Sequence, residues 1–243
     1  MSIEVIGLDA DDTLWHNESF YRATQERLAE LLSHYGSATR VASCLADIER
    51  QNLKIYGFGA KGFTLSMLEV ALNLGGPDLP ASVVREILAL GREILVHPVE
   101  TLPGVEETLP ALAERGRLVL ITKGDLFHQE AKLAASGLGD FFSGVEIVSN
   151  KGVDTFRRIF ARYSVSPGNA VMVGNSIRSD ILPALEAGCF AVHVPYPIVW
   201  DLEDAEAPYA CARFAELPSL LDLPALIDTI NHNLHFGQPD PVS

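Results

Sequence analysis

From Pro103 onward the chain alternates between two periodicities, and this alternation constrains the fold more than any other feature of the sequence. Segments with apolar residues at helical spacing, "VEETLPALAERG", "FHQEAKLAASGL", "VDTFRRIFARYS" and "DILPALEAG", are separated by short apolar runs, "RLVLIT", "VEIVS", "AVMVG" and "FAVHVP". Runs that are apolar throughout belong to strands covered on both faces. Strands separated by single helices of about ten residues form βαβ units with a parallel sheet. The expected fold class is therefore α/β, with a Rossmann-like, doubly wound parallel sheet at its core.

A further short apolar run, "IEVIGLD", opens the chain with no strand beside it in sequence, so it is expected to join the same sheet. Residues 19–97 then stay helical. "FYRATQERLAELLSHYG", "RVASCLADIERQNLKIYG", "FTLSMLEVALNLGG" and "PASVVREILALGREILV" make about four helices, uninterrupted by a strand. The helical block reads as an insertion: residues 1–17 and 98–243 form the core, and 18–97 a separate all-helical domain. "GFGAKG" at residues 57–62 matches GxGxxG literally, but it lies between helices and follows no strand, which argues against a dinucleotide fingerprint. The C-terminal "HNLHFGQPDPVS" has little periodicity and reads as a loose tail.

With 243 residues and 48% hydrophobic content, the chain can bury one large core or two modest ones. Its formal net charge of −14 repels phosphate backbones and anionic headgroups, so nucleic acid and membrane surfaces are excluded as partners. An anionic small substrate would need local cations or a metal ion against that field. The three cysteines, Cys44, Cys189 and Cys211, have no CxxC spacing and no pairing pattern. Together with the lack of an N-terminal basic and apolar leader, they point to a cytoplasmic protein, monomeric or homodimeric.

In a parallel α/β sheet, ligands bind beyond the carboxyl ends of the strands. The first strand ends in Asp9, Asp11, Asp12 and Thr13; "RLVLI" in Thr122, Lys123 and Gly124; "VEIVSN" in Lys151; and "AVMVG" in Asn175 with Asp180 five residues later. Taken singly, each has an ordinary explanation as a polar turn, a helix cap or a surface lysine. Taken together they bring carboxylates, a hydroxyl and a cation to one mouth. A spacing of two at a strand end puts Asp9 and Asp11 on the same side, where one can attack an electrophile and the other exchange a proton. Crowded carboxylates raise one another's pKa, and a hard divalent cation such as Mg²⁺ offsets that.

These four ordered motifs, DxDxT, Thr, Lys and Gly-Asn-x4-Asp, closely resemble those of the haloacid dehalogenase-like hydrolase superfamily, and the resemblance spans nearly the whole chain. It implies that Asp9 forms an aspartyl-phosphate, while Asp11 protonates the leaving oxygen and then activates water. Thr122 would bind phosphoryl oxygens with the backbone of Lys123 and Gly124, beside Thr13, and Lys151 would balance charge. Mg²⁺ would be held by Asp9, the Asp11 carbonyl, Asn175 and Asp180. The helical insertion resembles the family's helical type 1 cap, where Lys54, Tyr56 and Lys61 either select the substrate or are solvated residues of an interhelical connection.

Two positions depart from the family pattern. Gly152 follows Lys151 where proline is usual, and Asn175 stands where a metal-binding carboxylate is usual. Pro183 is tolerated only in a helix's first turn, so that helix is expected to start near Ser179, with Asp180 at its edge. There Asp180 either reaches the metal or complements the helix dipole. His16 and Trp15 are placed to line the entrance, with hinge packing as the other reading of Trp15. The implied activity is Mg²⁺-dependent hydrolysis of a small-molecule phosphate ester. The alternatives are a 2-haloacid dehalogenase, against which Asp11 argues, a sugar-phosphate mutase, and a degenerate ligand-binding site.

Overall fold

A computed structural model of the chain describes residues 2–236. Six strands, β1 (Val5–Leu8), β2 (Arg117–Lys123), β3 (Gly144–Val148), β4 (Ala170–Gly174), β5 (Phe190–His193) and β6 (Phe214–Glu216), form one sheet in the order β3-β2-β1-β4-β5-β6. β1 pairs in parallel with both β2 and β4, β4 with β5, and β5 with β6. The first strand thus lies in the middle of the sheet, as its unbroken apolar run requires, and all four of its residues are buried.

Alternate residues of the central strands feed two cores. Ile6, Leu8, Leu118, Leu120, Val171 and Val173 face α5 (Val105–Ala113) and α9 (Leu223–Phe236), meeting Leu109, Leu112, Leu223, Ile227 and Ile230. Val5, Val119, Ile121, Ala170 and Met172 face the opposite layer, α7 (Val153–Arg162) and α8 (Leu182–Ala187), where Phe156, Ile159, Phe160 and Ala184 pack against them. The period of two in each strand is what supplies both layers. α6 (Leu126–Ser136) follows β2.

Residues 17–98, with residues 123–130, make a second compact unit. Its helices are α1 (Glu18–Leu31), α2 (Ala38–Tyr56), α3 (Ala60–Gly75) and α4 (Ala81–Val96), with their own core of Leu28, Leu45, Phe63, Met67, Val70, Ile87 and Leu90. Gly57 and Gly59, at φ 73° and 116°, make the turn between α2 and α3, so the glycines of "GFGAKG" serve a connection. Among the described residues the three cysteines are free thiols. No helix among them is long and apolar enough to cross a membrane.

Three local features differ from expectation. β6 and α9 complete the core beyond the recognised alternation, because a three-residue strand carries almost no periodic signal. Residues 232–236, expected in a loose tail, continue α9, while residues 237–243 lie outside the described residues. The helical segment after β4 begins at Ile177, not Ser179, through a π-type turn, Ile177–Ile181, capped by the Ser176 hydroxyl accepting from the Ser179 N–H.

Phe156 is fully buried and Ile55 is 72% exposed. Phe156→Ala should cost about 3–5 kcal/mol in urea unfolding, whereas Ile55→Ala should stay within about 0.5 kcal/mol.

Candidate active site

β1 sits where the strand order reverses, with β2 on one side and β4 on the other, and in a parallel sheet this is where a crevice opens beyond the strand ends. The register pairs Leu8 with Leu120 and with Val173, so Asp9, Thr122 and Asn175 leave the sheet at nearly the same level. The Asp9 N–H still donates to the Val173 carbonyl at 2.9 Å, which ties the start of the acidic loop to β4. The chain then turns sharply. The Leu14 N–H donates to the Ala10 carbonyl at 2.8 Å, and Asp12, left-handed at φ 60°, donates its N–H to the Trp15 carbonyl at 2.8 Å. Asp12 is thus a residue of the turn itself.

Lys151 lies between β3 and α7 with its side chain 1% exposed. Its ammonium donates to Asp9 Oδ1 at 2.5 Å and to Asp180 Oδ1 at 2.6 Å. Asp180 Oδ2 accepts the Ser176 N–H at 3.0 Å. Gly174 makes room for this carboxylate, since a Cβ there would lie 2.2 Å from Asp180 Oδ2. Both Asp180 oxygens are therefore engaged within the protein, one by Lys151 and one by the Ser176 N–H. Asp180 is a counter-ion of Lys151.

Burial and the neighbouring Asp180 charge push the Asp9 carboxyl up to about 7, against the opposing pull of Lys151. Burial pulls the Lys151 ammonium down, but the charges of Asp180 and Asp9 outweigh it and hold it above the usual lysine range. The Asp11 carboxylate has different partners. Its Oδ1 accepts the Trp15 indole N–H at 2.7 Å and the Lys132 ammonium at 2.5 Å. Trp15 is buried and donates into the site; His16 meets the Tyr196 hydroxyl at 2.7 Å through Nδ1.

The tip of the Asn175 amide points into the acidic loop. In the orientation that satisfies its hydrogen bonds, Nδ2 donates to the Asp11 carbonyl at 3.1 Å, Asp9 Oδ2 at 3.3 Å and Thr13 Oγ1 at 3.2 Å. Turned over, the same tip presents Oδ1, which accepts from Thr13 Oγ1 at 3.2 Å. Oδ1 then converges with the Asp9 and Asp11 oxygens at separations close to the roughly 2.9 Å between neighbouring ligands of an octahedral Mg²⁺. The residues fit a hard divalent cation. They do so with one carboxylate, and among the described residues no three His, Cys, Asp or Glu side chains gather at a cation seat.

Thr122 is buried at the end of β2, and Gly124, at φ 132°, follows it in a conformation that suits glycine. Lys123 sits with its ammonium 4.0 Å from the centre of the Phe58 ring, and Lys61 pairs with Asp125 at 2.7 Å. Lys54 is exposed on α2, and the Tyr56 hydroxyl donates to Glu69 at 3.4 Å. Within its own unit each of these side chains is therefore at the surface or already engaged. Sequence reasoning missed Lys132, and also Glu203, whose carboxylate accepts from the hydroxyls of Ser176, at 2.5 Å, and Ser179. Nothing in their local sequence marks them.

A family model of haloacid dehalogenase-like hydrolases matches residues 3–188. A solved haloacid dehalogenase-like family hydrolase from Xanthomonas campestris is 38% identical, with a TM-score of 0.87, over 98% of this chain and 95% of its own. Glyceraldehyde 3-phosphate phosphatase from Pyrococcus furiosus is 26% identical over 91% of this chain and 92% of its own length. N-acylneuraminate-9-phosphatase from Mus musculus is 28% identical over 52% of each. The chain belongs to the haloacid dehalogenase-like hydrolases. It is an enzyme, a hydrolase, and the curated relatives it resembles are phosphatases.

Two predictions follow from the buried charges. A carboxyl whose pKa is raised from 3.8 to about 7 on folding keeps its proton in the native state after the unfolded chain has lost it. Its stabilising contribution is complete below about pH 4 and is lost as pH rises through 7. In metal-free buffer, Asp9→Asn should therefore melt roughly 2–4 °C above the wild type at pH 8, with the gap closing toward pH 5; an equal gap at both pH values would contradict the account. Asn175→Asp should tighten Mg²⁺ binding by roughly tenfold or more, read as the Mg²⁺ concentration that half-saturates the rise in melting temperature.

Proposed function

We propose that the protein is a Mg²⁺-dependent phosphomonoester hydrolase of a small phosphorylated metabolite, working through an aspartyl-phosphate on Asp9. The observation that carries this reading is the pair of carboxylates, two residues apart, in unlike surroundings. Asp9 is buried against Lys151 and Asp180, and Asp11 is held by Trp15 and Lys132. In the first step an Asp9 oxygen attacks phosphorus in line, the bond to the ester oxygen breaks, and Asp11 gives that oxygen its proton. In the second, Asp11 takes a proton from water as that water attacks the phosphorus of the aspartyl-phosphate, which releases phosphate and restores Asp9.

Lys151 offsets charge on Asp9 and on the phosphoryl oxygens, and the Thr122 hydroxyl with the backbone N–H groups beyond it binds those oxygens. Asp9, the Asp11 carbonyl and Asn175 would hold Mg²⁺, which when bound supplies electrophilic stabilisation of the phosphoryl group. Residues 18–97 would act as the cap, selecting the substrate. An acid/base carboxylate at Asp11, fixed by two donors, is superfluous for displacing halide, and this favours the phosphatase reading over the dehalogenase one.

Purified protein should turn over p-nitrophenyl phosphate with Mg²⁺ and lose that activity in EDTA. Asp9→Asn should lower kcat by a factor on the order of 10³ or more. No Mg²⁺-dependent turnover across a broad phosphate ester panel would sink the proposal.

A further inference from the structure

Lys132 occupies a helix position with an easy route to solvent, yet turns inward. On α6 its neighbours Glu130, Ala131, Ala134 and Ala135 are exposed, while the Lys132 side chain is 11% exposed. Its ammonium lies 2.5 Å from Asp11 Oδ1, across 121 positions of sequence. Withdrawing an ammonium from water is costly unless a charge partner compensates. The partner it meets is the carboxylate assigned to proton transfer.

The same Oδ1 accepts the Trp15 indole N–H at 2.7 Å. Trp15 is in turn fixed by its backbone, whose carbonyl accepts the Asp12 N–H at 2.8 Å and which bridges to Thr101. Two donors from different elements thus hold one oxygen of one carboxylate. Lys151 is committed to Asp9 and Asp180, so Lys132 is a second cation and serves the other functional carboxylate. Asp11 must meet a leaving oxygen and then a water at nearly one point, and errors of about 0.5 Å in such placement forfeit rate.

We propose that Lys132 is a positioning residue for this reaction, which with the Trp15 indole locks the Asp11 carboxylate through Oδ1 in the orientation that exchanges protons. The proposal rests on the phosphatase reading above. It assigns Lys132 no contact with substrate.

The test uses Lys132→Met, which keeps the aliphatic stem, with Lys132→Arg as the conservative replacement and Trp15→Phe as a second route to the same oxygen. Folding is checked by near-UV circular dichroism. Lys132→Met should lower kcat on the order of 10- to 100-fold with KM changed less than about threefold. The leaving-group dependence should steepen, with a greater loss on an alkyl phosphate than on p-nitrophenyl phosphate, whose leaving group needs little protonation. Rapid mixing with p-nitrophenyl phosphate should give a burst of about one p-nitrophenol per enzyme, because hydrolysis of the aspartyl-phosphate still waits on Asp11. Lys132→Arg should restore most of the rate, and Trp15→Phe should show a weaker form of the same burst.

Equal losses on both esters without a burst, or an unchanged kcat in Lys132→Met, would overturn the positioning role. Should Lys132→Met not fold, the absence of any burst in Trp15→Phe together with no recovery in Lys132→Arg would do the same. A wild type inactive on all phosphate esters would instead refute the phosphatase reading, and this proposal with it.

Discussion

Lys151 is an ammonium with almost no exposure, held between two carboxylates, Asp9 and Asp180, at 2.5 and 2.6 Å. An ion taken that far from water is stable only while a compensating carboxylate stays beside it. The three residues come from the segments after β1, β3 and β4. Their meeting therefore requires the strands to end at matching levels, with β1 between β2 and β4. Gly174 belongs to the same arrangement, because a side chain there would displace the Asp180 carboxylate.

Asp9, Asp180 and Lys151 thus put two carboxyl groups around one ammonium in a buried place. Burial and the Asp180 charge keep the Asp9 carboxyl near 7, well above its ordinary range, at a cost in folding stability above neutral pH. The Asn175 amide can be turned two ways. With its nitrogen inward it donates to the Asp9 and Asp11 oxygens, and with its oxygen inward it becomes a ligand.

Much of this was legible in the order of residues. Strands apolar throughout and helices of about ten residues define a parallel sheet, and the acidic, hydroxyl, lysine and asparagine motifs at four strand ends mark one mouth. What stayed hidden has physical reasons. β6 is three residues long, too short for a period to show. Asp180 read as a metal ligand or a helix-dipole residue, and its contact with the Lys151 ammonium at 2.6 Å depends on how β3 and β4 end beside each other. Trp15 read as either an entrance or a packing aromatic, because the partner of its indole N–H depends on how the loop after β1 folds back.

Sequence by itself determined the layers, the membership of an apolar first strand in the sheet and the chemical types gathered beyond the strand ends, since these follow from periodicity and from what each side chain can do. Only the tertiary structure decided which carboxylate each cation serves. Lys151 follows β3 and its place was readable, whereas Lys132 sits in the middle of α6, where a lysine carries no sign of what it faces. Asp11 lies 121 residues from one and Asp9 lies 142 from the other. Pairings over such distances are set by the register of the sheet and the rotation of α6 about its axis, which no short stretch of sequence encodes.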